Sequence, residues 1–425
     1  MKKVFLVVLL VMMIVSAISM VNFAQDITLR VSWYGSQDRH NRMSEVIKLF
    51  EEKYPNVKIS PEPLGGDDYF TRIAVQTVAK NLPDVFVQGL THIPRLLEQG
   101  TLLNLNPYIE DNTLNLDNTT EMEISGARIN EKLYGVCGGT NSVVYFYDPE
   151  LFKKAGVEEP FPDWTWEDYS EKCRKIHNAL GIYGDDPYML VRYAFSFRYY
   201  LTQHGKNLYD KSFKKLGYED DSLFIDFYSM LVDLAKDGAI APPELSLEIG
   251  VSPENTLLVK QDAAMWPAWS NQITALTAAA GRPLNMMIFP NSKDQVQYGT
   301  WIKGALYFLV PTYSKYPEWA VKFIDFYTND LEANKILLAE IGLPISSKIR
   351  EELKPYLTDA QKKMFNFSDL VLEYTSPAAW EGPVAASQIV DLLGKTYERM
   401  LFGDLTLEEA AKEFREKANK ILAEN

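Results

Sequence analysis

Cysteine is almost missing from this chain: Cys137 and Cys173 are the only two in 425 residues. In an exported protein such a pair permits one disulfide without demanding it. Cys173 falls in phase with Trp166, Tyr169, Ile176 and Leu180, the offsets of one helical face, so a buried thiol is expected rather than a bridge. Histidine is scarce as well. His40, His92, His177 and His204 never fall at metal-ligand spacing, and HExxH, CxxC, GxxxxGKS/T and GxSxG are all absent. Zinc-protease, thiol-redox, P-loop and serine-hydrolase chemistry lose their usual signatures, and no cofactor or metal is expected. Basic charge is short: 43 Lys and Arg stand against 57 Asp and Glu, a formal net charge of -14. Such a surface repels phosphate backbones and anionic headgroups, which argues against nucleic acid as a partner.

Long apolar runs are limited to one. Lys2 and Lys3 precede an unbroken stretch from Val4 to Val15, followed by small residues and Gln25-Asp26. This is the plan of a secretory signal, too short for a spanning helix. Cleavage is expected after Ala24, with Ser19 as the other site, and residues 1–24 are read as the signal peptide. The mature protein is therefore expected in the periplasm or outside the cell.

Behind the leader the pattern is regular. Ile27 to Trp33 alternates and reads as a strand, and a polar loop is expected over Tyr34–Asn41. Met43, Val46, Ile47 and Phe50 mark a helix; "VKIS" gives a second strand. Phe70, Ile73, Ala74 and Thr77 mark another helix, capped by Asp67 or Asp68, and "PDVFVQG" a third strand. This βαβαβ order is the signature of a parallel sheet covered by helices, with ligands gathered at the carboxyl ends of its strands. Farther on, two extended segments flank Gly138-Gly139. Thr165 with Asp168, and Thr406 with Glu409, read as capping boxes. Strand signals return at Met286–Phe289 and Ala305–Val310. Aromatics are plentiful, with 8 Trp, 24 Tyr and 21 Phe. Flat rings and uncharged amides suit the C–H faces and hydroxyl rims of sugars. The stretch "AAMWPAWSNQ" supplies two such rings, Trp266 and Trp269, and its Pro267-Ala268 predicts a loop at a strand end.

Several segments resemble, in order, the extracellular solute-binding proteins (family 1) of carbohydrate ABC transporters. They are "ITLRVSWYGSQDRHNRMSEVIKLFEEKYPNVKI", "NLPDVFVQG", "LLEQGTLLNLNPYI", "EKLYGVCGGTNSVVYFYDPELFKKAGVEEPFPDWTWEDY", "VKQDAAMWPAW", "YSKYPEWAVKFIDFYTN" and "EIGLPISSKI". The resemblance implies an α/β fold of the periplasmic-binding-protein type, two lobes with a hinge and a ligand cleft between them. Residues 26–138 with 293–343 would form one lobe, and 139–292 with 344–425 the other. It implies capture of a small carbohydrate, delivery to a membrane permease, no covalent step, and a monomer. It also implies site residues: Ser36, Gln37 and Arg39 after the first strand, Asp67, Gln88, Asn141 and Arg198. Trp266 or Trp269 would stack on the ligand, with Trp301, Trp380 and Glu381 in further cleft loops. Relatives of the "WYGSQ" type carry a tryptophan where Gly66 stands here, so one stacking surface is missing. The rival readings are a secreted glycan hydrolase, which would need a facing carboxylate pair, and a receptor of the same fold for a peptide or polyamine.

Overall fold

A computed structural model describes residues 27–187, 195–242, 245, 253–376, 382–383 and 385–424. The expected signal peptide, Trp380 and Glu381 lie outside the described residues.

Besides a two-stranded ribbon at Arg128–Ile129 and Lys132–Leu133, the strands of the first half are β1 (Ile27–Tyr34), β2 (Val57–Leu64), β3 (Val85–Gln88), β4 (Gly135–Cys137) and β5 (Thr140–Tyr147). Those of the second half are β6 (Tyr183–Asp185), β7 (Ala263–Trp269), β8 (Asn285–Met287), β9 (Ile302–Gly304) and β10 (Tyr307–Leu309). They form two separate five-stranded sheets. The first runs β2-β1-β3-β10-β4, with β1 parallel to both β2 and β3, and β10 antiparallel to β3 and β4. In the second, β5 pairs antiparallel with β8, β7 and β9, and β6 lies parallel to β7. Because β2 is an edge strand, it carries Pro61 and Pro63 and runs on to Leu64, four residues past the "VKIS" of the sequence reading.

Helices cover these sheets. The N-terminal ones are α1 (Gln37–Lys53) and α2 (Gly66–Val78). The short α3 (Glu121–Ile124) precedes α4 (Trp166–Leu180) and α5 (Phe195–Gln203). Next come α6 (Pro317–Asn329), α7 (Leu331–Leu337), α8 (Ser347–Leu353) and α9 (Leu407–Glu424). The apolar face of α1 buries Met43, Val46, Ile47 and Phe50. It starts six residues before Met43, since the Ser36 side chain accepts the backbone N–H of Arg39; the expected loop is only Gly35-Ser36. Gly65 holds the cap position of α2, so Asp67 and Asp68 stand as the second and third residues of the helix rather than at its cap. Both predicted capping boxes form, at Thr165–Asp168 and Thr406–Glu409.

Two cores follow from the two sheets. One packs β1, β3 and β10 against α1 and α6, around Trp33, Phe50, Phe86 and Phe323. The other packs β5 and β7 against α4, α5 and α9, around Tyr145, Trp164, Trp266 and Phe414. Cys137 is buried in the first and Cys173 in the second, both unbridged. The chain crosses between the lobes at Gly138-Gly139, at Ala305-Leu306 and along Ala339–Ile345. Backbone hydrogen bonds tie the crossings together: Gly138 N to Leu306 O at 2.8 Å, Ala305 N to Gly139 O at 2.8 Å, and Thr140 with Leu343 in both directions at 2.9 Å. A Cβ on Gly139 would stand 3.0 Å from the Gly342 backbone, so glycine allows the two crossings to approach closely here. Residues 293–304, allotted to the first lobe by the sequence reading, pack with the second: Trp301 belongs to its core and β9 pairs with β5. Among the described residues no helix is long and apolar enough to cross a membrane.

Candidate functional site

Next to the crossings lies a cavity of about 840 Å³ whose walls come from both lobes. Small-molecule sites span roughly 300–1,000 Å³. Leu90, just past β3, the α3 residues Glu121 and Met122, then Ser125, Gly126 and Tyr307 form its first-lobe side. Facing them are Arg198 and Thr202 on α5, Asn207, Tyr209, and Trp301 with Lys303 on or beside β9.

The walls combine rings with cations. Trp301 is almost fully enclosed and packs on Tyr199 with ring centroids 6.1 Å apart. The Arg198 guanidinium lies 5.9 Å from the Tyr209 ring, and burial pulls its pKa below the usual value. Lys303 Nζ sits 4.8 Å over the half-buried ring of Trp269, a cation–π arrangement. Burial first, and the Arg198 charge second, hold the Lys303 pKa down. Glu121, more than half exposed, pairs with Arg128 at 2.9 Å; Asp210 accepts the Ser212 hydroxyl at 2.6 Å and the Lys214 N–H at 3.0 Å. Both lining carboxylates are thus engaged with neighbours.

Tyr307 is held between two glycines. A Cβ on Gly126 would fall 2.2 Å from its hydroxyl oxygen, and one on Gly304 2.3 Å. Real Cβ contacts essentially never come under 3.0 Å. The hydroxyl therefore occupies space that only glycine leaves.

Of the sequence-predicted residues, Arg198 and Trp301 line this cavity, and Trp269 reaches it through Lys303. Trp266 does not: only 1% exposed, it stacks on Phe146 at 6.4 Å inside the second core. Nor do Pro267 and Ala268 form the expected loop at a strand end. Both lie in strand β7, and Pro267 fits there because β6 pairs with β7 only as far as Met265, leaving that flank without a ladder partner among the described residues. Ser36 and Gln37 are exposed and locally occupied, Ser36 as a helix cap and Gln37 by a 2.9 Å bond to Asn41. Arg39 is a brace: Nε meets Glu340 at 2.7 Å and Nη1 the Tyr34 carbonyl at 3.1 Å, tying α1 to the third crossing. Gln88 and Asn141 are buried beside the site, in register with Tyr307 and Lys303 respectively. Asn141 donates to the Ile341 carbonyl at 3.0 Å, while the side-chain oxygens of both amides have no donor among the described residues. Asp67 is the second residue of α2. Residues 121–126, Tyr209, Lys303 and Tyr307 went unnoticed in the sequence. A lysine inside the apolar stretch "WIKGALYFLV" was the one local signal for them.

The family model described as bacterial extracellular solute-binding protein matches residues 37–332. The arabinooligosaccharide-binding protein of Bacillus subtilis is 25% identical over 312 residues, covering 70% of this chain and 68% of its own. An uncharacterized ABC transporter extracellular-binding protein of Pyrococcus horikoshii is 26% identical over 226 residues, 51% of each chain, so about half its length is matched. Among solved structures, a family 1 extracellular solute-binding protein from Alicyclobacillus acidocaldarius shares the fold with a TM-score of 0.79 at 24% identity. It covers 94% of this chain and 99% of that one. A periplasmic oligogalacturonide-binding protein from Yersinia enterocolitica, in complex with saturated digalacturonic acid, gives 0.77 at 22% identity with the same coverage. This is the two-lobe α/β fold of the periplasmic solute-binding proteins.

Proposed function

Because the chain belongs to the bacterial extracellular solute-binding proteins, we propose that it captures a saccharide between its lobes and delivers it to the membrane permease of an ABC importer. The supporting observation is the interlobe cavity, whose lining includes Trp301 and Tyr209 together with the polar side chains of Arg198, Lys303 and Asn207. Rings take the C–H faces of a sugar, and polar groups take its hydroxyls, where each missed hydrogen bond costs affinity. A ligand touching both walls binds the closed form better than the open one, and that difference alone drives closure. The three crossings act as the hinge, and no covalent step is needed. Monosaccharides, oligosaccharides, uronates and polyols all carry the hydroxyls that such a lining would hold. Uronates deserve a place in any screen because Arg198 and Lys303 share the cavity. Residues 1–24 would direct export and be removed, leaving a monomeric receptor. The relatives named above for what they bind support a receptor over a hydrolase.

A thermal-shift screen of the mature protein against sugars, uronates, inositols, oligosaccharides and polyamines tests this reading. Ligand at a hundredfold over its Kd stabilises the folded state by about 2.7 kcal/mol. A shift with one carbohydrate class, with that compound recovered intact, is the expected result. No carbohydrate shift, a polyamine shift, or cleaved product rejects it.

A further inference from the structure

The cavity's first-lobe wall is fastened to the second lobe by a part-buried ion pair. Glu123 sits on α3, between the lining residues Met122 and Ser125, and is only 8% exposed. Its Oε2 accepts the Thr120 N–H at 2.7 Å and the Thr120 hydroxyl at 3.1 Å, closing a capping box. Its Oε1 accepts Arg350 Nη1 at 2.6 Å. Arg350 belongs to α8, whose Ile349 and Leu353 pack in the second core, whereas Ile124 of α3 packs in the first. The same Arg350 nitrogen donates to the Pro344 carbonyl at 2.7 Å and the Ile345 carbonyl at 3.2 Å, on the third crossing.

A second tie runs alongside. Ser347, the first residue of α8, donates its N–H and hydroxyl to the Asn118 carbonyl at 2.8 and 3.0 Å. At the far end of the wall Gly126 is closed against Tyr307, beside the second crossing. Residues 118–126 are thus held at one end by α8, just past the third crossing, and at the other by Tyr307, just past the second.

We propose that the Glu123–Arg350 pair is an interlobe clamp that positions residues 118–126 as the cavity wall, and so sets saccharide affinity without touching the saccharide. This rests on the cavity being the saccharide site. A lone surface pair would contribute little, but here the carboxylate is 9% exposed and the guanidinium side chain 21%, and the charge-assisted bond is shared with two backbone carbonyls. Removing Arg350 leaves the Glu123 carboxylate buried without its charge partner. The wall then loosens locally, while the strands of the first sheet keep their own hydrogen bonds.

The test uses the mature protein, its Arg350→Met, Arg350→Lys and Glu123→Gln variants, and two probes, digalacturonic acid and an arabinotriose. Amide hydrogen exchange without probe is expected to speed up at least about tenfold over residues 118–126 in R350M and E123Q. It should stay unchanged over β1 and β3. Unchanged exchange at 118–126 overturns the clamp, whatever binds. Affinity is measured well below the melting midpoint, where every variant is folded. For a probe bound by the wild type, a loss of about tenfold or more in R350M, partly restored in R350K, is expected. A lowered midpoint with unaltered affinity would mean a merely structural pair and overturn the positioning role. Should neither probe bind the wild type while exchange at 118–126 still rises, the saccharide choice is at fault rather than the clamp.

Discussion

Replacing Gly126 by alanine probes the packing around Tyr307 directly. The new Cβ would fall 2.2 Å from the Tyr307 hydroxyl oxygen, 3.0 Å from Cζ and 3.4 Å from Leu90 Cδ1. Tyr307 is 2% exposed, and its hydroxyl is closed on the other side by Gly304, so the ring cannot simply swing away. Overpacking of this kind costs about 1–3 kcal/mol. Deleting the hydroxyl with Tyr307→Phe removes the 2.2 Å clash and leaves ring carbon at the tolerable limit of 3.0 Å. Gly304→Ala behaves differently: its Cβ would still meet Cζ at 2.6 Å and Cε2 at 2.9 Å after the oxygen is gone. Denaturant unfolding followed by tryptophan fluorescence reads both cycles, provided the slope is unchanged. G126A with Y307F is expected to show a favourable coupling of at least about 1 kcal/mol, and G304A with Y307F a much smaller one. A neutral G126A, or equal relief of both alanines, would refute the packing argument.

Other consequences are equally open to measurement. Arg282→Met removes the 2.6 Å ion pair to Asp148, whose side chain is fully buried, together with bonds to the carbonyls of Leu258, Val259 and Ala280. The loss should be about 3–5 kcal/mol in urea unfolding; under about 1 kcal/mol would mean the pair behaves as a solvated one. Asp185 is buried among the hydroxyls of Tyr145 and Tyr169, and burial raises its pKa well above the ordinary value. The folded state thus holds this proton more tightly than the unfolded chain. Its contribution is full below about pH 4 and declines as pH climbs toward the folded value. Asp185→Asn should flatten that decline, and a variant curve parallel to the wild type would contradict it. Burial pushes the Cys137 thiol up to about 12 and Cys173 well above its usual value. Neither should react with iodoacetamide at neutral pH until the protein is unfolded; mass spectrometry of labelled native protein checks this.

Local pattern carried the sequence reading a long way. Alternation made β1 legible, helical spacing made the buried face of α1 legible, and both capping boxes follow from four-residue motifs. What failed needed distant partners. Ser36 looks polar and available until it is seen capping α1, and Arg39 until it meets Glu340, 301 residues away. Pro267 argues for a loop unless one knows that β6 stops pairing at Met265. The wall residues 121–126 span one α-helical turn and the start of a 3-10 turn, too short for any periodicity to announce them, and only long-range packing brings them opposite Arg198 and Trp301. The glycines show the same limit. Gly126 and Gly304 are ordinary in sequence and matter because Tyr307 passes between them.

A crystal structure of the mature protein with the saccharide identified by thermal shift is the most direct measurement. Saccharide density between the lobes, against Trp301 and within hydrogen-bonding reach of Arg198 or Lys303, is the expected result. A saccharide bound elsewhere while the interlobe cavity holds only solvent would contradict capture at this site.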